Sequence, residues 1–256
     1  MTLVAWRTRG VLILVLGLLI LAGYATAGLA SEQSPMVIMI GVEGNKVVPA
    51  DEILSAVKTT QIGTVLNLDS IRTDQNALFN LGYFSEVLPP EFQRVLGGVK
   101  VVFRVIEYPP LKEISLKGLT KMSIPEAVSA FTTKPGDVIN RNTIAKDLRG
   151  LFEKAQNDYG LLLKSPTQRI NPDGTVEIEL IEMRLRNLGL IGLDKTREAV
   201  VRREISAKEG EIFDSKTFGK DLQNLFMLGY FEEFPSAKLV ETGEQDQLDV
   251  QIEFTE

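Results

Sequence analysis

The side chains of this sequence that could perform chemistry are almost all carboxylates. The 256 residues contain no histidine and no cysteine, which excludes thiolate nucleophiles, the commonest metal ligands and the side chain best suited to proton transfer near neutral pH. The adjacent acids Glu232 and Glu233 could form an acid pair, but acids on solvated strand faces are ordinary. Because no nucleophile motif, phosphate-binding glycine loop or metal-ligand spacing accompanies them, we predict no enzymatic activity, no catalytic residue, no metal and no cofactor.

One short segment, Asn-Pro-Asp-Gly-Thr from Asn171 to Thr175, has the polar residues of a calcium loop. It lacks the alternating acids and the terminal glutamate that such a loop needs. The same residues suit a hairpin turn. We therefore predict a turn before a strand at this position.

The first 30 residues have the order of a secretory leader. Arg7 and Arg9 precede an apolar run from Val11 to Ala22, and small residues follow. The alternative is an uncleaved membrane anchor at residues 11–30, which is uncharged and long enough to span a bilayer. Both interpretations place the rest of the chain outside the cytoplasm. Removal of residues 1–30 changes the net charge from −6 to −8, and so acidic a surface predicts no nucleic-acid partner.

Four landmarks recur along the chain with one period. Three glycines that follow short apolar segments are 74 residues apart, and three other residue types repeat at intervals of 73 to 75. These landmarks are Gly44, Gly118 and Gly192; Asp74, Asp147 and Asp221; Phe79, Phe152 and Phe226; and Glu107, Glu182 and Glu256. The period predicts three modules, at 36–109, 110–182 and 183–256, after the leader at 1–30. The simplest role of the three glutamates is a local cap or a contact at a module junction.

The hydrophobic period changes in the same order within each module. Alternating apolar residues predict a first strand, spacings of three and four predict two helices, and alternation returns in the last strands. The predicted order is β-α-α-β-β, and the fold class is α+β. We expect Gly63, Gly136 and Gly210 to end the first helix of each module. The second helix is predicted to begin after Asp69 or Ser70, after Asn140 or Asn142, and after Asp214 or Ser215.

A nine-residue peptide occurs in two similar copies, FNLGYFSEV at 79–87 and FMLGYFEEF at 226–234. Gly82 and Gly229 are predicted to end the second helix in the left-handed conformation, and the Tyr-Phe pairs after them, Tyr83-Phe84 and Tyr230-Phe231, to begin the next strand. Phe79 and Phe226 are expected on the buried face of that helix. In the middle copy Gly160 comes later, which predicts a helix longer by about one turn. We interpret the peptide as a folding device and not as a ligand site.

These features resemble the polypeptide-transport-associated (POTRA) module. The resemblance rests on the element order, on Gly44-Asn45 after the first strand and on Leu-Gly-Tyr-Phe before the second; after Gly118 and Gly192 leucine replaces asparagine. Tandem POTRA modules are similar to the arm of the outer-membrane β-barrel assembly and two-partner secretion families. The resemblance implies a three-stranded mixed sheet covered on one face by two helices.

The resemblance also implies a location and partners. We expect a periplasmic, outer-membrane-associated protein whose partners are outer-membrane β-barrel or secreted client polypeptides and barrel assembly components. Members usually continue into a transmembrane barrel, for which these 256 residues contain no segment. We therefore expect the chain to supply the arm. The alternative is an inner-membrane-anchored protein, similar to the single-module proteins of the division septum, that recruits membrane-protein partners.

The resemblance places the second strand of each module at a sheet edge, where it can pair with an extended guest. The candidate edges are 85–92, 161–170 and 234–240. Pro89 and Pro90 interrupt the first and Pro166 the second, whereas Pro235 lies only at the start of the third. The predicted binding edge is therefore Ser236, Ala237, Lys238, Leu239 and Val240. The alternative is that all three edges are solvated or covered by neighbouring modules.

Overall fold

The computed structural model of the protein describes residues 34–256. The leader predicted at 1–30, and the alternative anchor at 11–30, lie outside the described residues. Among the residues that are described, no helix combines the length and the apolar character needed to cross a membrane.

The described chain repeats one order of elements three times. The first unit contains β1 (Val37–Glu43), α1 (Ala50–Ser55), α2 (Leu68–Asn80), β2 (Phe84–Val95) and β3 (Gly98–Glu107). The second contains β4 (Glu113–Lys117), α3 (Ile124–Ser129), α4 (Arg141–Tyr159), β5 (Leu163–Ile170) and β6 (Thr175–Glu182). The third contains β7 (Arg184–Ile191), α5 (Glu198–Glu204), α6 (Ser215–Met227), β8 (Ser236–Glu241) and β9 (Gln247–Glu253).

Each unit forms its own mixed sheet of three strands. The strand orders are β1-β3-β2, β4-β6-β5 and β7-β9-β8. In each sheet the last strand is central, parallel to the first strand and antiparallel to the second. The predicted α+β fold of three β-α-α-β-β modules is confirmed, and the second strand of every unit lies at a sheet edge.

Each sheet packs on a hydrophobic cluster of its own unit. Phe84 and Phe103 are fully buried in the first cluster, Leu151 and Ile178 in the second, and Ile252 in the third. Burying one such side chain contributes about 1.5–3 kcal/mol. Three small cores therefore stabilise the chain in place of one large core.

The recurring acids bind backbone amides within their own units. Glu107 accepts from the amides of residues 46–48 at 2.9–3.2 Å, Glu182 from those of residues 120 and 121, and Glu256 from those of residues 194–196. Burial alone would raise the pKa of Glu256, but these amides lower it below its usual value. Of the two predicted roles, the local cap is therefore the one observed: each glutamate holds the loop after the first strand against the end of the last strand.

The recurring aspartates hold the loop that follows the first helix on the second helix. Asp74 is 1% exposed and accepts from the amides of Lys58, Thr59 and Thr60 at 2.6–3.0 Å. Burial by itself would raise the pKa of Asp74, but these hydrogen bonds outweigh it and lower the pKa. Asp147 and Asp221 each accept from one amide, at 2.8 and 2.7 Å, and from one hydroxyl.

Two predictions about helix ends are wrong. The first helices end at Ser55, Ser129 and Glu204, well before Gly63, Gly136 and Gly210. These glycines lie in later turns, where their amides donate to carbonyl oxygens of the first strands or of the residues just before them, at 2.7 Å. The second correction concerns α2, whose cap is Asn67 and not Asp69 or Ser70; Asn140 and Asp214 cap α4 and α6. An earlier residue caps α2 because the Asn67 carboxamide oxygen already accepts from the amides of Asp69 and Ser70.

Candidate strand-pairing edge

The predicted binding residues 236–240 lie in the edge strand β8. This strand pairs on one side with β9 in an unbroken antiparallel register, from Ser236 opposite Glu253 to Glu241 opposite Leu248. In an antiparallel edge strand, every second residue turns its amide and carbonyl away from the neighbouring strand. β8 therefore presents a regular row of backbone donors and acceptors.

The corresponding edges of the first two units are irregular. The register of β2 shifts between Leu88 and Glu91, around the two prolines, and that of β5 shifts between Lys164 and Thr167. The guanidinium of Arg104 also donates to the Pro89 carbonyl oxygen at 3.0 and 3.1 Å. Both edges thus lose part of the backbone pattern that an extended guest would need.

The side of β8 that continues the core face is uncovered. Leu239 lies opposite Val250, which is 1% exposed, yet Leu239 itself is 52% exposed. All six residues of β8 are exposed. In the other units Val87 and Ile170, on the equivalent strands, pack against the cores. Exposed apolar side chains also occur on β2, at Phe92 and Val95, so what distinguishes β8 is a register that is unbroken along the whole strand.

Two aromatic rings lie just before this strand. The ring centroids of Phe226, at the end of α6, and Phe234 are 5.6 Å apart, and both side chains are partly exposed. The prediction that Phe226 and Phe79 belong to the buried face of their helices is wrong, because both remain more than one third exposed. The two rings add exposed apolar surface just before β8.

Two ion pairs hold β8, one from within the strand and one from its last residue. Lys238 lies 2.8 Å from Glu253 on β9, and this pair lowers the pKa of the glutamate. Glu241 lies 3.3 Å from Lys164 of the second unit. Because water screens exposed pairs of this kind, they orient the strand more than they stabilise it.

The signature residues of the sequence serve the fold. Gly44, Gly118 and Gly192 follow the first strands with φ between 83° and 94°, and a Cβ there would overlap a carbonyl oxygen of Val105, Leu180 or Phe254. Asn45 donates to the Val48 carbonyl oxygen at 2.9 Å. Among residues 34–256, no group of three or more acidic side chains is placed to hold a metal ion.

The repeated nine-residue peptide ends a helix in both copies. Gly82 and Gly229 have φ of +88° and +75° and follow α2 and α6, and Gly160 has φ of +70° after α4. Phe84 begins β2, but Tyr230 and Phe231 precede β8 by several residues, so the prediction that they begin a strand is wrong. Phe231 packs on Phe254 instead, with ring centroids 4.7 Å apart. The helix α4 has 19 residues against 13 in α2 and α6, which exceeds the predicted extra turn.

Sequence reasoning missed the second role of this peptide, which is to receive the next unit. The Gly82 carbonyl oxygen accepts from the amide of Arg141 at 2.9 Å, and the Leu81 carbonyl oxygen accepts from the Asn140 side chain at 2.9 Å. The Arg141 guanidinium lies 3.9 Å from the Phe79 ring centroid and donates to the Phe79 carbonyl oxygen. The start of α4 thereby satisfies carbonyl groups that the end of α2 leaves unpaired.

The second junction repeats this arrangement. The Gly160 carbonyl oxygen accepts from the amide of Ser215 at 2.8 Å, and Lys216 donates to the Asn157 carbonyl oxygen at 3.3 Å. An apolar residue two positions before each cap packs on the core of the preceding unit: Val138 on the first core and Ile212 on the second. The available signal was the recurrence of a β-branched residue, an apolar residue and Asn or Asp before each second helix, at 65–67, 138–140 and 212–214.

The family comparison decides what the repeated fold is. The family model for POTRA, described as surface antigen variable number repeat, matches residues 35–108 and 183–256. The chain belongs to the POTRA family. The middle POTRA module lies outside the matched residues, but its sheet has the same strand order as the other two.

Curated relatives of this POTRA chain are much longer proteins. It is 24% identical over 182 residues to the outer membrane protein assembly factor BamA of Nitratidesulfovibrio vulgaris, which covers 68% of the chain and 23% of that protein. It is 22% identical over 229 residues to BamA of Neorickettsia risticii, with coverage of 79% and 30%. The chain thus spans between about a quarter and a third of the length of the relatives it matches.

Two solved structures have a fold similar to that of this chain. POTRA1-3 of the periplasmic domain of Omp85 from Anabaena matches with a TM-score of 0.69 at 20% identity, covering 86% of this chain and 94% of that one. The N-terminal domain of Omp85 from Thermosynechococcus elongatus matches with a TM-score of 0.61 at 20% identity, covering 86% and 96%. At such identity the likeness shows the fold.

Proposed function

We propose that this chain is a non-enzymatic, extracytoplasmic arm that receives unfolded outer-membrane or secreted polypeptides and holds them by strand addition at β8. The observation that carries the proposal is the unbroken, fully exposed register of β8 in a POTRA protein. The relatives named outer membrane protein assembly factor support the same process. The module boundaries that go with this function are 36–109, 110–182 and 183–256.

Strand addition at β8 explains how one edge serves many clients. Backbone hydrogen bonds do not depend on the side chains of the guest, so they provide affinity without strict sequence recognition. The exposed Ala237 and Leu239 share one face of β8 and favour guests with an apolar residue at every second position. Outer-membrane strands have this alternation. Clients of that class therefore fit the surface.

We propose that the arm lies in the periplasm, next to the outer membrane, with barrel assembly components as partners. The mature N-terminus tests the alternative of an inner-membrane anchor. A mature protein that starts between about residues 28 and 34 is expected for a released arm. An intact Met1 or Thr2 would favour the anchored, partner-recruiting protein instead.

Site-specific photo-cross-linking tests the binding edge. A photoreactive residue is placed at Val240 in β8, at Arg94 in β2 or at Thr167 in β5; all three positions are exposed and lie on edge strands. We expect unfolded outer-membrane client to cross-link mainly at position 240. Equal yields at the three positions, or no client adduct in cells, would refute binding at β8.

A further inference from the structure

The junction between the first two POTRA modules is formed by two short peptides. On the first module these are residues 81–83, Leu-Gly-Tyr, which we call the tail. On the second they are residues 138–140, Val-Ile-Asn, which we call the head. The head covers the tail so closely that Gly82 is buried, and a Cβ there would lie 2.6 Å from the Asn140 carboxamide oxygen.

The third module has the same tail and the first module has a closely similar head, and both are largely exposed. The third module has a Leu-Gly-Tyr tail at 228–230, and the first module has a Val-Leu-Asn head at 65–67. Tyr230 is 56% exposed and Val65 is 59% exposed. Within residues 34–256, nothing lies within 4 Å of a Cβ built on Gly229. The outer tail thus matches the inner tail in sequence and backbone conformation but lacks its cover.

We propose that the tail of the third module binds the head of the first module in a second copy of this chain. In this contact the Asn67 side chain donates to the Leu228 carbonyl oxygen, as Asn140 does to Leu81. The amide of Leu68 donates to the Gly229 carbonyl oxygen, as that of Arg141 does to Gly82. Val65 packs on the third module, as Val138 packs on the first.

The outer pair differs from the inner one at two positions. Leu68 and Asp69 replace Arg141 and Asn142, whose side chains donate to the carbonyl oxygens of Phe79 and Asn80. Leu68 faces the exposed Phe226 in this contact, so an apolar contact replaces the cation–π contact, but Asp69 cannot donate to the Met227 carbonyl oxygen. The contact between copies is therefore weaker than the inner junction and depends on protein concentration.

The symmetry of the contact follows from its parts. Head and tail are different surfaces of one chain, so each copy uses its tail for one neighbour and its head for another. Such heterologous contacts form open chains unless the rotation closes them into a ring. The tail of the third module could instead bind the start of a helix in another protein. At the inner junctions that helix start has a basic residue, Arg141 or Lys216.

Disulfide trapping in the full chain tests the contact, because the protein has no cysteine of its own. Two chains with different tags are mixed. The head chain has Asp69→Cys and the tail chain has Met227→Cys. These positions correspond to Asn142 and Asn80, which are in contact at the inner junction. In the matched control the tail chain has Leu96→Cys, at a residue more exposed than Met227. We expect the 69–227 adduct to exceed the 69–96 adduct by about tenfold, which corresponds to a preference of about 1.4 kcal/mol.

One substitution, made first in the head chain and then in the tail chain, tests which surface each chain contributes to the contact. Val65→Lys in the head chain should lower the yield about fivefold, because the head loses its apolar contact. The same substitution in the tail chain should leave the yield unchanged, and Leu68→Arg in the head chain should raise it. Equal yields with positions 227 and 96, an equal loss from Val65→Lys in either chain, or an adduct of the tail chain only with another protein would overturn the proposal.

Discussion

The two copies of the nine-residue peptide have the same backbone role and different surroundings. Gly82 and Gly229 both end a helix in the left-handed conformation. Gly82 is buried under the second module, whereas Gly229 is exposed, and Tyr83 is half-buried where Tyr230 is exposed. The comparison shows that the local sequence specifies the turn, while burial of that turn depends on what docks on it. A peptide that looks like a folding device is also one half of a module junction.

Substitution of the two glycines should separate these roles most strongly. Alanine in the left-handed conformation costs about 1–2 kcal/mol, which is the loss we expect for Gly229→Ala. Gly82→Ala adds a clash with the Asn140 side chain, so we expect a loss of about 3 kcal/mol or more. Denaturant unfolding of the two variants measures the difference. Equal losses would mean that the junction contributes nothing at Gly82.

Substitution of the recurring aspartates should reduce stability by different amounts in the first and third modules. Asp74 accepts from three amides and Asp221 from one. We expect Asp74→Asn to cost about 2 kcal/mol and Asp221→Asn about 1 kcal/mol near neutral pH, measured by denaturant unfolding. A larger loss at Asp221 would contradict the structure.

The lowered pKa of Asp74 predicts how the stability of the first module depends on pH. The folded-state pKa of Asp74 is lowered, so its contribution is complete above the unfolded value of about 3.9 and is lost as the pH falls through the folded value. Unfolding should therefore become easier below about pH 4, and Asp74→Asn should remove part of that dependence. An unchanged pH profile in the variant would assign the acid sensitivity to other groups.

Substitution of Arg141 should have a smaller effect, at the tail that the second module covers. Arg141→Ala removes the contact with the Phe79 ring and one hydrogen bond, and should cost about 1 kcal/mol. Hydrogen exchange should become faster for amides at 79–82 and stay unchanged at 226–229. The variant Arg141→Lys, which keeps the charge but not the planar group, should recover only part of the protection.

The smallest expected effect concerns the exposed tyrosine. Tyr230→Ser should change the free energy of unfolding by less than about 0.5 kcal/mol, because the side chain is exposed. Tyr83→Ser, at a half-buried side chain that packs on the first core, should cost about 1 kcal/mol or more. A large loss at Tyr230 would mean that the tail of the third module is also covered in solution.

The sequence predicted what is periodic and missed what depends on contacts between modules. Equal spacing of glycines, aspartates and glutamates sufficed for three modules and their element order, because those residues act within one module. The exposure of Phe79 and Phe226 was missed, since helical spacing identifies a face but not its neighbour. The cap at Asn67 was missed because several residues that can cap occur together there. The edge position of β8 was inferred from the family resemblance, and the uncovered face at Leu239 is visible only in the structure.

The end-to-end arrangement of α2, α4 and α6 has an electrostatic consequence. Each helix has a partial positive charge at its start and a partial negative charge at its end. At Gly82 and Gly160 an end meets a start, so the opposite partial charges lie together and offset each other. Among residues 34–256, no helix start meets the end of α6 at Leu228 and no basic residue lies in its last turn, so the partial negative charge there is not offset in this way. A cation added near Leu228 should therefore stabilise α6, whereas the same cation near Leu81 should not stabilise α2.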